Sequence, residues 1–337
     1  MLIRKYYIDL VEGRRRGPLA FGIKMFLFPL SLLYGLIINL RNYLYDKKFL
    51  KSKVFKIPVI SIGNLTWGGT GKTSLVIKLV LALAEFKIAV LSRGYGQDEI
   101  SLIRGHLRDT SSQLFVGKDR LKLLEKLDSC YDLVLLDDGF QYRRIKKDLE
   151  IVLVNGKDSI GKNFFIPLGK LREPPKSLRR ADVVIIMHSL NRKIEAFLKK
   201  INPQLEVFFG RYLSLGLRDL QGIGYSKEEF LNREFACFTA IGWPQSFLDS
   251  LEELGLSPKL KFIYPDHYEL KEEEFRKIEQ RCLSLNIRDL IITSKDRERF
   301  CFSTSLSIFI LEVDLEIENY QKLLELIKQR VKKRNHS

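Results

Sequence analysis

With 337 residues, 45% of them hydrophobic and 29% charged, the chain is long enough for two ordinary domains and too apolar for extended disorder. Fifty-seven lysines and arginines against 41 aspartates and glutamates give a net charge of +16, which suits an anionic partner: nucleic acid, a membrane surface or a phosphorylated substrate. The four cysteines (Cys130, Cys237, Cys282, Cys301) form no CxxC pair and no Cys/His cluster, a pattern that argues against zinc and fits free thiols in a reducing compartment.

The first twenty residues are charged throughout and lack a small-residue cleavage site, so no secretory signal is expected. Residues 25–40 are strongly apolar but short of the ~20 residues that span a bilayer, and Pro29, Gly35 and Asn39 interrupt them. Arg14, Arg15, Arg16 and Lys24 precede this stretch, and Arg41, Lys47 and Lys48 follow it. Apolar surface with basic edges predicts a helix lying in an anionic membrane interface. Burial against the main domain and a full span are the alternatives.

Residues 57–62 predict a strand, with Pro58 at its start. A Gly-rich segment follows, then a helix from Lys72 to about Glu85 and a strand at 88–91. Next come an amphipathic helix at 118–128, a buried strand at 133–136 running into Asp137 and Asp138, and apolar strands at 149–154 and 183–187. The alternation predicts an α/β fold of the P-loop NTPase type: a mostly parallel sheet with helices on both faces. From about residue 210 the rhythm restarts, with strands at 235–239, 260–264, 290–293 and 308–311. Helices fall at 244–254 and 271–285, and a basic helix at 319–333. The expected organisation is an N-terminal helical segment (1–50), a main domain (51–209) and a smaller α/β domain (210–337).

The segment Thr66, Trp67, Gly68, Gly69, Thr70, Gly71, Lys72, Thr73 carries the clearest chemistry. Phosphate oxygens need several converging backbone N–H groups, and only a loop with little side-chain bulk wraps that closely. Lys72 can reach β- and γ-phosphates and the Thr73 hydroxyl can ligate Mg²⁺, while the helix that starts here adds its positive end. The usual pattern has glycine where this chain has Thr66. Asp137 and Asp138 close a strand, where a Mg²⁺-organising carboxylate belongs, although either can instead cap a turn. Residues 92–96 (SRGYG) leave another strand end and are followed by Asp98, which can orient a sugar hydroxyl, accept its proton or simply be a solvated loop charge. Arg172, in the proline-stiffened segment 167–175, can bind phosphate bidentately or belong to a surface linker. His267 can assist proton transfer or be structural. Lys295 and Asp296 can act at a strand end or stabilise a turn.

Taken in order, residues 63–73 (GNLTWGGTGKT), 92–96 (SRGYG), 137–141 (DDGFQ), 167–174, 240–244 (AIGWP), 265–267 (PDH) and 295–296 (KD) resemble the tetraacyldisaccharide 4′-kinases, or lipid A 4′-kinases. The first and third strings are the specific ones, and Thr66 becomes a family trait. The resemblance implies transfer of the γ-phosphate of ATP, with Mg²⁺, to the 4′-hydroxyl of an acylated glucosamine disaccharide 1-phosphate, forming lipid IVA. It implies a membrane-associated enzyme, peripheral or interfacial, on the cytoplasmic face of a bacterial inner membrane, with a P-loop domain, a smaller C-terminal domain and the active site between them. It implies Asp98 as base with help from His267, and Asp138 and Glu173 as Mg²⁺-organising groups. Asn64, Arg93, Asp137, Gln141 and Arg172 become candidates for substrate or phosphate contacts. Two departures stand out: Gln97 replaces a glycine before Asp98 in a shortened loop, and Tyr142 stands where the family usually has histidine. Neither nucleic acid nor an obligate protein partner is expected. The alternative is a membrane-recruited P-loop ATPase that acts as a regulatory or binding module.

Overall fold

The computed structural model describes residues 2–94, 96–127, 130–157, 164–266 and 268–335. The chain divides into two compact units: Met1–Arg211 with Ile317–Ser337, and Tyr212–Glu316.

The first unit opens with two helices, α1 (Leu2–Val11) and α2 (Pro18–Asp46). It continues with β1 (Val59–Asn64), α3 (Lys72–Ala82), β2 (Ile88–Ser92), α4 (Gln97–Leu107), β3 (Gln113–Val116), α5 (Arg120–Glu125) and β4 (Leu133–Asp137). Then come β5 (Leu149–Asn155), β6 (Val183–Met187), α6 (Arg192–Ile201) and the beginning of the long strand β7 (Glu206–Asp219). The strands lie in the order β7-β6-β5-β1-β4-β2-β3, and every pair in this run is parallel. Strands β1, β2, β4, β5 and β6 are buried along their whole length, which their near-continuous Val/Ile/Leu runs require of central parallel strands. A parallel sheet gathers its carboxyl ends at one edge. The segments that follow β1, β2 and β4 therefore meet there, and they are the ones that carry the motifs.

Gly63 shows how tightly that edge is packed. A Cβ at this position would lie 2.5 Å from Phe140 Cβ and 2.7 Å from the Phe140 amide nitrogen. Backbone cannot swing away as a side chain can, so Gly63→Ala is expected to cost ~2–3 kcal/mol through overpacking. A thermal melt would read this as a fall of ~4–12 °C. A variant melting within a degree of the parent would show that the turn after β4 yields freely.

Helix α2 differs from its expected form. It runs unbroken through Pro29, Gly35 and Asn39, about 43 Å at 1.5 Å per residue. Its inward stripe is small and mostly polar, with Ser31, Gly35, Ile38 and Asn42 at helical spacing, and its outward face presents Phe26, Leu32, Leu33, Leu36, Ile37 and Leu40. Gly35 is required by contact: a Cβ would come within 2.6 Å of the Phe165 ring. By length and composition α2 could cross a membrane. Elements of this unit that went unread in the sequence include α4, α6, β7 and the short, half-buried β3.

The second unit takes the remainder of β7, then β8 (Gly224–Tyr225), β9 (Phe235–Thr239), α7 (Pro244–Glu253), β10 (Leu260–Ile263), α8 (Glu272–Leu283), β11 (Asp289–Thr293) and β12 (Ser307–Ile317). Its strand order is β10-β9-β11-β12-β7, with β8 antiparallel to β7. Alternation along β9 sends Ala236 and Phe238 into one apolar core and Phe235 and Cys237 into the other. Asp296 is fully buried and accepts bonds from Thr293 Oγ1 (2.6 Å), Arg299 Nη1 (2.8 Å) and the Ala240 amide (3.2 Å). It ties the ends of β9 and β11 together, the structural alternative considered for it. The basic helix α9 (Tyr320–Asn335) was expected in the second domain. It lies in the first unit instead, where the Tyr320 hydroxyl donates to the Lys78 carbonyl. Residues 1–50, expected as a segment of their own with burial against the main domain as an alternative, fall in that unit too.

Candidate nucleotide and phosphate site

The Gly-rich loop is built by backbone requirements. Gly68 (φ 118°) and Gly71 (φ 89°) occupy conformations that side chains rarely adopt, and Gly71 caps α3 in the left-handed region. Lys72 and Thr73 then form the first residues of α3, at its positive end. Thr66 is explained locally. It forms an antiparallel bridge with Leu171, and the Trp67 amide donates to the Lys170 carbonyl (2.9 Å). Extended backbone suits threonine, and the usual glycine is not needed there. Trp67 stacks on Tyr7 of α1, ring centroids 6.5 Å apart. Asn64 Nδ2 donates to Thr70 Oγ1 (3.2 Å), bracing the loop from the end of β1.

Asp138 is the centre of charge. Its backbone is left-handed (φ 49°), and its carboxylate receives a bidentate grip from Arg172 at 2.7 and 2.8 Å. Lys72 Nζ lies 3.7 Å from Asp138 Oδ1. Burial alone would raise the Asp138 carboxyl, but Lys72 and Arg172 outweigh it and hold it well below the usual carboxylate range. Arg172 also donates to Asn64 Oδ1 (2.9 Å), and Gln141 Nε2 donates to the Asn64 carbonyl (2.8 Å). Asn64, Gln141 and Arg172 are thus joined to one another and to Asp138.

Asp137 behaves oppositely. Oδ2 accepts from Ser92 Oγ (2.9 Å), whereas buried Oδ1 has no hydrogen-bond partner among the described residues. Burial, the Asp138 charge and Glu99 push its carboxyl up to about 6. The surroundings therefore push the proton affinities of two adjacent acids in opposite directions, a separation characteristic of functional sites.

Asp98 sits half-buried in the first turn of α4, after Gly96, and not in the loop its sequence suggested. Arg93 is exposed beyond β2. His267 lies outside the described residues. Glu173 is fully buried, and its carboxylate is taken by Arg41 Nη2 (2.7 Å), Asn42 Nδ2 (2.9 Å) and Arg180 Nη2 (2.8 Å). Where a metal-organising group was expected, the structure places a knot between α2 and the segment that carries Arg172. The Tyr34 hydroxyl of the same helix donates to the Arg172 carbonyl (3.0 Å).

Sequence reading missed Arg120. This buried arginine donates from Nη1 to the carbonyls of Asp137 (2.7 Å) and Asp138 (3.0 Å). Nothing in its local sequence distinguishes it from a solvated helix charge. With Lys72 and Arg172 it makes a cationic frame around two acids, an arrangement suited to polyphosphate.

The family model of tetraacyldisaccharide-1-P 4′-kinase matches residues 23–113 and 98–332. A tetraacyldisaccharide 4′-kinase of Aquifex aeolicus is 33% identical over 327 residues, covering 89% of this chain and 97% of that protein. One from Porphyromonas gingivalis is 32% identical over 318 residues, covering 84% and 88%. The crystal structure of LpxK from Aquifex aeolicus in complex with ATP superposes with a TM-score of 0.68 at 30% identity, covering 92% of this chain and 99% of that one. By family model, relatives and fold together, the chain belongs to the tetraacyldisaccharide-1-P 4′-kinase family.

Proposed function

We propose that this chain transfers the γ-phosphoryl group of ATP to the 4′-hydroxyl of an acylated glucosamine disaccharide 1-phosphate, giving ADP and the 4′-phosphorylated lipid. The observation that carries this reading is the convergence of Lys72 and Arg172 on Asp138, beside a Gly68–Gly71 loop shaped for phosphate. Backbone amides of residues 67–73 would hold the β- and γ-phosphates, and Lys72 would balance charge on the transferring group. Asp98 would take the proton of the attacking hydroxyl as the new O–P bond forms and the bond to the β-phosphate oxygen breaks. The resemblance assigns His267 as its partner.

Mg²⁺ ordinarily binds one or two carboxylates together with substrate phosphates. The donors here fit it: Asp137 Oδ1 is buried without a hydrogen-bond partner among the described residues, an atom a cation would satisfy, and Thr73 opens α3 where its hydroxyl can contribute. Asp138 already answers two cations and Glu173 three donors, so we assign the metal chiefly to Asp137 and Thr73. When bound, Mg²⁺ supplies charge neutralisation at the β- and γ-phosphate oxygens.

For α2 we propose a place in the membrane interface on the cytoplasmic side of a bacterial inner membrane, where ATP is present. Its apolar outer face is poorly suited to water, and flanking Arg14, Arg15, Arg16, Lys24, Lys47 and Lys48 suit anionic headgroups. A lipid acceptor would then be reached without leaving the bilayer surface.

The test is a kinase assay with [γ-³²P]ATP and purified disaccharide 1-phosphate in detergent. Label should appear in the lipid extract, whereas label recovered only as free phosphate would favour the ATPase alternative. Asp98→Ala should lower turnover ~10²-fold, as expected for a lost general base. Turnover within threefold of the parent would remove Asp98 from the mechanism.

A further inference from the structure

The geometry points to Tyr142 as a positioning residue for the paired acids, acting through Arg120. It rests on the kinase reading above and concerns a side chain with no assigned role. The Tyr142 hydroxyl donates to Asp119 Oδ1 (2.8 Å) and accepts from the Leu121 amide (3.1 Å). Between those two contacts the Arg120 guanidinium lies over the Tyr142 ring, its Cζ 4.3 Å from the centroid. One tyrosine thus holds three consecutive residues at the start of α5.

Arg120 in turn fixes the corner on which Asp137 and Asp138 sit. Its Nη1 bonds both of their carbonyls, and Asp138 adopts a left-handed backbone that is uncommon for non-glycine residues, although aspartate tolerates it better than most. Burial disfavours the Arg120 charge; Asp138, Tyr142 and Asp137 oppose that effect. Among the described residues Arg120 Nε has no hydrogen-bond partner, so the aromatic face is the main compensation on that side of the guanidinium. Remove the ring and a buried arginine loses its seat. The turn it clamps is then free to move the two carboxylates, and displacements of ~1 Å cost up to ~10²-fold in such sites.

Three substitutions separate positioning from simple packing: Tyr142→Phe keeps the ring, Tyr142→Leu removes it, and Tyr142→His keeps a flat ring that titrates near pH 6.5. ATP affinity is measured by calorimetry with and without Mg²⁺, alongside kcat, thermal melts and the pH profile. Tyr142→Leu should lose ~5-fold or more of the affinity gained on adding Mg²⁺, with metal-free ATP binding within twofold, because the loop and Lys72 are untouched. Its kcat should fall ~10–100-fold, and Tyr142→Phe should fall between it and the parent. Tyr142→His should recover most activity at pH 8 and lose it below about pH 6.5, where an imidazolium would oppose Arg120.

The proposal is overturned if Tyr142→Leu keeps the full Mg²⁺-dependent gain, or if Tyr142→His follows the parent's pH profile. Should Tyr142→Leu fail to fold, the Tyr142→His profile decides. If the parent labels no lipid acceptor, the kinase reading fails. The Mg²⁺-dependent binding comparison then still decides the role of Tyr142.

Discussion

Lys72→Ala should lower kcat/KM for phosphoryl transfer by ~10²–10³-fold, about 3–4 kcal/mol of transition-state stabilisation, with little change in fold stability. Lys72 opens α3 directly after the left-handed Gly71, which places its ammonium at the helix's positive end, 3.7 Å from Asp138 Oδ1. A cation in that position contributes most when negative charge builds on a transferring phosphoryl group. Stability should hold because Asp138 keeps its bidentate partner Arg172, so no buried carboxylate is left unpaired. Without Lys72 the Asp138 carboxyl moves back toward its ordinary range, since Lys72 is the largest of the charges that lower it. Lys72→Arg should not restore activity: a planar fork is longer than an ammonium and would compete with Arg172 for the same oxygens. Steady-state kinetics with a parallel melt read both effects. A kcat/KM within fivefold of the parent would show that the loop's backbone alone carries phosphate stabilisation.

Why Lys72 was legible in sequence and Arg120 was not follows from where their partners lie. Lys72 belongs to a motif whose geometry is local: two glycines with positive φ, a helix start and a strand end within a dozen residues. Asp137 and Asp138 could be placed because a buried strand ends on them. Arg120 earns its role from carbonyls 17 and 18 residues downstream, and Glu173 from Asn42, 131 residues upstream. No pattern in either neighbourhood encodes those contacts. Helix α2 was legible as apolar, but its orientation was not, because its core-facing stripe holds Ser31, Gly35 and Asn42 and reverses the usual amphipathic rule. Asp98 read as a loop charge because Gly94 and Gly96 suggest a turn. Gly96 instead adopts an extended conformation just before α4, and the acid falls in the helix's first turn, where its charge is favoured.

Asp137→Asn should remove a pH-dependent weakness of the nucleotide-free protein, an effect on stability as large as a core mutation. Burial, Asp138 and Glu99 raise the Asp137 carboxyl from its ordinary 3.8 to about 6. The folded chain therefore binds this proton more tightly than the unfolded chain. Its contribution is fully present below about pH 4 and is lost as pH rises through about 6. At ~1.4 kcal/mol for each tenfold change in proton affinity, that loss is about 3 kcal/mol, an upper figure because the two acids interact. An asparagine carries no charge to repel Asp138 and can still accept from Ser92 Oγ. The variant should accordingly melt higher than the parent at pH 7.5 and about equally at pH 4.5. The comparison isolates Asp137, because buried Asp296, also raised to about 6, is common to both proteins. The same charge that weakens the empty site is the one a cation would use. Adding Mg²⁺–ATP to the parent at pH 6, where about half of the Asp137 carboxyls are protonated, should therefore release up to about half a proton, seen as a dependence of binding heat on buffer ionisation enthalpy, and the variant should release less. Equal proton release by both proteins would move the metal away from Asp137, and identical melts at pH 7.5 would show that the site relaxes enough to hold both acids charged.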